Sequence, residues 1–359
     1  MANIDIIRDL SNAFGPSGFE EDVVAVIKKY CTGSDVTSDC MNNVFARLKN
    51  NTGKRPVIML DAHTDEVGFM VQYINSNGLL GFMNIGGWIT SNIPAHTVKI
   101  KNTKGELITG IIASKPPHFM NDVERASDNL NLESIYIDVG ATSRNEVINV
   151  FGIQVGDPIM PDVTFEYNEK NNTLLGKAFD NRLGCACIIE TLSALKDNTD
   201  LCVDVVGGFA SQEEVGMRGA QVTSQVIAPD LAIVFEGSPA DDLYFDEFTA
   251  QCALKKGVQV RHIDQSYISN PEYIRFAKEL ADAKGIKYQA AVRRRGSTNA
   301  GKIHLAHKAV PVLVLGIPSR FIHTHYNFCA EEDINSTVAL AVEVIKNLNE
   351  TSINRIMKR

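Results

Sequence analysis

The sequence predicts an α/β fold: a mostly parallel sheet covered by helices, interrupted by a small inserted β-barrel. Three observations predict it. Short apolar runs and amphipathic helical patterns occur before Gly68. From about Gly68 to Tyr167 helical periodicity disappears, and short β-type runs separated by turn-formers replace it. After Leu174 the alternation of strand and helix resumes, as a largely parallel, two-sided sheet requires.

Taken in order, Ile4, Ile7, Leu10 and Phe14 recur at helical spacing. Pro16-Ser17-Gly18 then breaks the chain. Ser17 with Glu20 reads as a capping box for a second helix, with Phe19, Val23, Val26, Ile27 and Tyr30 as its apolar stripe. Val57-Ile58-Met59-Leu60 is a short, fully apolar strand. The inserted region carries β-type runs at 69–74, 97–100, 107–113 and 134–139, divided by Asn77-Gly78, Gly86-Gly87, Lys104-Gly105 and Gly156-Asp157. Beyond it, strands are expected at 203–209, 231–235, 288–292 and 310–315, and helices at 181–195, 215–226, 271–283 and 334–348. The expected division is one discontinuous domain, 1–67 with 168–359, and an insert at 68–167.

Composition narrows the function classes. The 359 residues suffice for two domains and a full core. A formal charge of −8 argues against nucleic acid or an anionic membrane as partner. No apolar run approaches the roughly 20 residues of a membrane helix, and the start MANIDIIRDLSNAF lacks a signal-peptide core. The cytoplasm is the expected location. The seven scattered cysteines read as reduced core thiols; Cys185-Ala186-Cys187 lacks the metal-binding or redox spacing.

The residues able to carry chemistry follow apolar strands or open helices, where α/β sheets bind ligands. His63 and Asp65 follow the strand at 57–60, Glu213 and Glu214 the strand at 203–209, and Glu236 the strand at 231–235. His323 follows the last strand and a Pro-containing loop, and Asp180 sits where a strand hands over to a helix. Imidazoles and carboxylates without thiolate suit zinc or a similar divalent ion. One aspartate can bridge two metals, and a neighbouring carboxylate can serve as general base. Each residue also has a simpler reading. Glu213 and Glu214 could be the acidic first turn of a helix, Asp180 a helix N-cap, and His325 could replace His323. His304 and His307, one helical turn apart, have no carboxylates beside them in sequence.

At Ala62-His63-Thr64-Asp65-Glu66-Val67-Gly68 the chain resembles the glutamyl and tetrahedral aminopeptidase family of co-catalytic metallopeptidases, some members of which are described as cellulases. Gly176-Lys177-Ala178-Phe179-Asp180-Asn181-Arg182-Leu183-Gly184, Gln212-Glu213-Glu214-Val215-Gly216 with Arg218-Gly219-Ala220, and Ile317-Pro318-Ser319-Arg320-Phe321-Ile322-His323-Thr324 carry the same likeness. The resemblance covers nearly the whole chain. It implies a zinc-aminopeptidase-like catalytic domain with a PDZ-like or β-barrel insert for dimerisation, and two divalent ions per chain, zinc or cobalt. Asp180 would bridge the ions, with His63 and Glu236 completing one site and Glu214 and His323 the other. Glu213 would be the general base, and Asp65 would orient His63. Short peptides would be the substrates, and homo-oligomers, built from dimers up to dodecameric shells, the assembly.

Two positions depart from the family pattern. Glu236 stands where aspartate is usual, and Ser297-Thr298-Asn299-Ala300 replaces Gly-Thr-Asp-Ala, which removes a charge expected near the site, where it would bear on substrate preference. Two other functions compete: a glycoside hydrolase, which needs two carboxylates roughly 5–9.5 Å apart across a sugar, and a non-catalytic peptide- or metal-binding relative. Arg293, Arg294 and Arg295 are either a solvated basic turn or part of a pocket for an acidic side chain.

Overall fold

In the computed structural model, which describes residues 2–122 and 131–358, eleven strands form one mixed sheet and six more close into a barrel. The helix Ile4–Asn12 forms as its spacing demands. Ile6, Ile7 and Leu10 are buried, and the Asn3 side chain caps the first amides. The expected capping box is absent: the next helix, Glu21–Tyr30, has no side-chain cap. Ser17 instead donates to Asp65, and Glu20 accepts from the amides of Gly18 and Gln212. Tertiary partners have taken both capping groups.

The chain then forms β1 (Ser34–Ser38), β2 (Val44–Leu48) and β3 (Val57–His63) before entering the barrel. Barrel strands are β4 (Gly68–Ile74), β5 (Leu80–Ile85), β6 (Thr97–Lys101), β7 (Leu107–Ala113), β8 (Tyr136–Asp138) and β9 (Pro158–Pro161). They close in the order β4-β5-β8-β7-β6-β9 around Phe69, Val71, Phe82, Ile100, Ile137 and Ile159. The described residues of this region include a short α-helix, Arg144–Asn149, despite the lack of helical periodicity; Ser143 caps it.

The chain returns to the large sheet through β10 (Glu166–Asn168), β11 (Thr173–Gly176), β12 (Asp204–Ala210), β13 (Leu231–Pro239), β14 (Val258–Ile263), β15 (Tyr288–Val292), β16 (Val312–Arg320) and β17 (Asn327–Ala330). The order is β1-β2-β12-β3-β13-β16-β17-β11-β10, with β14 beside β16 and β15 beyond it. Parallel pairing runs through the centre, β12-β3-β13-β16, and joins β14 to β15; the other pairs are antiparallel. The centre is parallel because those strands are apolar and covered on both faces. Ile58 and Leu60 pack on one side with Leu183, Ile188 and Val344; Met59 packs on the other with Ala220, Ile227 and Ile303, following the two-residue period of a strand.

Some expected boundaries shift. β3, β13 and β16 run several residues past their apolar cores, so His63 and Glu236 lie inside strands rather than after them. The helix expected from Val215 begins at Arg218. All seven cysteines are free, but Cys40 and Cys202 are exposed rather than in the core. Among the described residues no helix is long and apolar enough to cross a membrane.

A buried charge cluster ties the pieces together. Lys177 donates to both oxygens of Glu66 at 2.6 and 2.8 Å, and Arg182 to Glu66 at 3.2 Å, all three being at most 1% exposed. Arg182 also donates to the carbonyls of Leu10, Ala13, Gly15 and Thr64. One guanidinium thus pins the end of the first helix to the end of β3. Removing one partner of a buried ion pair leaves charge uncompensated. Glu66→Gln is therefore expected to lose about 3–5 kcal/mol of stability in urea denaturation; a loss within experimental error would show that the carbonyls alone satisfy both cations.

Candidate active site

Strand ends and the loops beyond them bring six ionisable side chains together, five of them lining one cavity and His63 buried behind it. His63 is the last residue of β3, and Glu236 lies within β13. Glu213 and Glu214 occupy the loop between β12 and the helix Arg218–Ile227, so they are not a helical first turn. His323 lies between β16 and β17, with φ +60°. Asp180 stands at the start of the helix Phe179–Leu195, where it and Asn181 have non-helical backbone.

Asp180 is not the cap of that helix. Asn181 accepts from the Gly184 amide at 3.1 Å and from the Gly237 amide at 3.2 Å. Asp180 turns its two oxygens to two imidazoles: Oδ1 lies 3.0 Å from His63 Nε2, and Oδ2 lies 3.5 Å from His323 Nε2. Glu214 Oε2 lies 3.8 Å from the same His323 nitrogen. A Cβ on Gly237 would lie 2.6 Å from the Asp180 Cα, so only glycine lets β13 approach this closely.

Three overlapping groups have ligand atoms within 4.8 Å of one another: His63, Asp180 and Glu236; His63, Glu213 and Glu214; Asp180, Glu214 and His323. These are nitrogen and oxygen donors of the kind that hold zinc or similar divalent ions. His325 belongs to none of these groups and stacks on His96 instead, with ring centroids 3.9 Å apart. His304 and His307 join no such group among the described residues; His304 bonds the Ala300 carbonyl.

Asp65, fully buried, organises this set. Its Oδ1 lies 3.3 Å from His63 Nδ1 and accepts the Glu213 amide at 2.9 Å. Its Oδ2 accepts the Glu214 amide at 3.1 Å and the Ser17 hydroxyl at 2.6 Å. One carboxylate thus aims an imidazole and holds the backbone of the two glutamates.

The model of the M42 glutamyl aminopeptidase family matches residues 42–340. The chain belongs to this family. The glutamyl aminopeptidase of Lactococcus lactis is 30% identical over 358 residues, covering 99% of each chain. The TET aminopeptidase of a marine-sediment Thaumarchaeota archaeon is 35% identical and superposes with a TM-score of 0.93 over 98% of this chain and 99% of that one. The Pyrococcus horikoshii TET1 peptidase, which can assemble into a tetrahedron or a large octahedral shell, shares the fold at 24% identity, with a TM-score of 0.85 over 96% and 99%. Family membership decides among the competing functions: this M42 peptidase is an aminopeptidase, a hydrolase acting on peptide bonds. The family is metal-dependent, and the groups described above could hold metal.

Crowding governs the electrostatics of the M42 site. Burial, with the neighbouring carboxylates, pushes Glu213 up to about 8 and Glu214 to about 7, against the opposing pull of the imidazoles. Burial and Asp180 push Glu236 well above the carboxylate range. For Asp180 the upward push of burial is outweighed by hydrogen bonds from His323 and His63, which hold it below that range. For His323 burial works downward, but Asp180 and Glu214 outweigh it and raise the imidazole to about 10. Bound cations would relieve the same repulsion.

A cavity of about 530 Å³ opens over these residues, with Arg261, Arg293 and Arg295 on its walls. Arg261 is buried and pairs with Asp264, and Arg293 with Asp241. Arg295 is exposed and has no hydrogen-bond or ion-pair partner among the described residues. The basic run therefore borders the cavity, beside the site.

Asn299 corrects an expectation. It does not line that cavity; it is fully buried and donates to Asp61 at 2.8 Å. An aspartate there would set two buried carboxyls against each other, so the departure changes the support beneath β3 rather than the substrate wall. Sequence reading also missed Ser17, Asn181 and the buried Glu20. Asn181 had a signal, being adjacent to Asp180 within the same motif; Ser17 and Glu20 were absorbed into a helix cap.

Asp65→Asn keeps the side chain's shape but presents an amide N–H₂ to backbone donors. Because such supporting partners tune metal affinity, the variant is expected to bind zinc about 10- to 100-fold more weakly in competitive chelator titration. Wild-type affinity would remove Asp65 from this role.

Proposed function

We propose that this aminopeptidase holds two divalent cations, zinc or cobalt, and removes single residues from the N-termini of short peptides in the cytoplasm. The observation that carries the reading is Asp180, whose two oxygens face two different imidazoles. In this assignment Asp180 would be shared between the ions, His63 and Glu236 would hold one, and Glu214 and His323 would hold the other. The donor set fits: imidazole and carboxylate atoms lie within one ligand shell of each other, without thiolate. Glu236 has the reach to take part, since its group closes within 4.8 Å despite the extra methylene relative to aspartate.

When bound, the ions would supply the Lewis acidity that polarises a carbonyl and acidifies water. The chain's own residues do the rest. Glu213 takes a proton from the attacking water as its oxygen bonds to the scissile carbonyl carbon. It then passes that proton to the leaving nitrogen as the C–N bond breaks, releasing an amino acid and a shortened peptide. Asp65 holds the Glu213 amide and the His63 ring in register for this exchange.

Arg295 and Arg293, on the cavity wall beside the acidic cluster, suit an acidic N-terminal side chain through charge-assisted hydrogen bonds. The activity of the Lactococcus relative, named for glutamyl substrates, supports this preference. We assign the barrel, within 68–167, to dimerisation, and 1–67 with 168–359 to catalysis. Assembly from dimers into a shell of the TET1 kind, a dodecamer, is the expected quaternary state.

Chelation is expected to abolish hydrolysis of aminoacyl p-nitroanilides, and zinc or cobalt to restore it. Glu213→Gln should lower kcat by at least about 100-fold, the lower range for general-base catalysis, with metal content near wild type. Retained turnover in that variant would remove Glu213 from the mechanism. Arg295→Ala should lower kcat/KM for a glutamyl substrate by about 10-fold, the loss of roughly one charge-assisted bond, and leave a leucyl substrate unaffected. Equal wild-type rates on the two substrates would dismiss the acidic pocket.

A further inference from the structure

The barrel reaches into the site through the loop that follows β5. The Gly87 carbonyl accepts from His323 Nδ1 at 2.9 Å. With Nδ1 engaged in that bond, Nε2 is the nitrogen turned toward Asp180 and Glu214 and the one left to hold a cation. The loop leaves no room for side chains. A Cβ on Gly87 would lie 3.0 Å from His323 Nδ1, and one on Gly86 would lie 3.2 Å from the Glu214 Cβ and 2.8 Å from Val67. Gly86 also has φ +77°, which glycine adopts without strain.

Trp88 fastens this loop. Its ring stacks on Phe69 at 4.7 Å with an interplanar angle of 26°, and Nε1 donates to the Gly68 carbonyl at 3.2 Å. The ring of His325, two residues beyond His323, lies 5.1 Å from that of Trp88. From β6's side of the barrel, His96 stacks on His325, and Tyr326 lies 5.7 Å from His96. Residues 323–326 are therefore gripped by the barrel at two points. His323 needs such a grip, because its φ of +60° is a backbone conformation side-chain-bearing residues seldom adopt unaided.

We infer that the barrel is a working part of the metal centre: Gly87 and Trp88 are positioning residues that fix the tautomer and aim of His323, and so set the affinity of the cation His323 holds. The inference rests on the proposal that His323 is a ligand. It predicts an asymmetric effect, because among the described residues no barrel residue bonds His63 or Glu236 in the same way; their side-chain partners are Asp65, Asp180 and Asn181.

The test is a cobalt titration of the full-length, metal-stripped protein against a chromophoric chelator, read also by visible absorption of the bound cobalt. Gly87→Ala and Trp88→Ala should each weaken one of two equivalents by about 10- to 100-fold and alter its absorption band, leaving the other equivalent unchanged. Trp88→Phe, which keeps the stack on Phe69, should bind both equivalents nearly as the wild type does. Circular dichroism confirms folding, and the two alanine variants back each other up, since they perturb the loop differently. His323→Ala, run in parallel, separates the failures. If it still binds two equivalents tightly, the ligand assignment falls. If it loses one while both barrel variants bind like wild type, the inference alone is overturned. Equal weakening of both equivalents in the barrel variants would also overturn it.

Discussion

Four carboxylic acids and two imidazoles share a space only a few ångström across, most of it closed to water. Carboxylates in that setting repel one another and resist losing their hydration, so they hold their protons unless cationic charge comes to them. The raised values of Glu213, Glu214 and Glu236 and the lowered value of Asp180 are two outcomes of one constraint. The carboxylate between two imidazoles loses its proton more easily than usual, and those crowded by burial and other carboxylates less easily. A chain that keeps such a cluster must spend stability elsewhere, and the surrounding fold is arranged to hold it.

The first support is the parallel centre of the sheet. β3, β12 and β13 end side by side, so the residues at or beyond their ends converge without any loop having to travel far. The second is Asp65, which bonds the 213–214 backbone and lies against His63 from beneath. The third is the Glu66, Lys177 and Arg182 cluster immediately behind it. Lys177 and Arg182 flank the segment that carries Asp180, and Glu66 follows Asp65 directly. The site's geometry therefore rests on buried charges that are themselves paired, which explains why the local motifs are dense in ionisable residues that never reach the cavity.

The barrel is more than an appendage on this frame. Its Gly86-Gly87-Trp88 loop lies against Glu214 and His323. The two halves are consequently held by different parts of the molecule: His63 by the large sheet, His323 by the sheet and barrel together. The two departures from the family pattern also fall differently. Glu236 lies among the clustered donor atoms, whereas Asn299 sits behind β3 against Asp61.

Much of this is legible in the residues alone. Apolar runs marked the buried central strands, because burial on both faces leaves no polar position. Loss of helical period marked the barrel, and dense motifs at strand ends marked the cluster. Local signals failed where a distant partner took over a local group. Ser17 and Glu20 have the spacing of a capping box, yet Ser17 bonds Asp65, 48 residues away, and Glu20 bonds the Gln212 amide, 192 away. Asn299 reads as a site residue until its partner 238 residues earlier is known, and a backbone carbonyl 236 residues away that aims His323 leaves no mark in side-chain identity at all. By itself the sequence determined the elements and the chemical inventory, since period, turn and charge are properties of neighbours along the chain. Only the tertiary structure decided which carboxylates face which imidazoles, because that depends on strand register and on contacts between residues hundreds of positions apart.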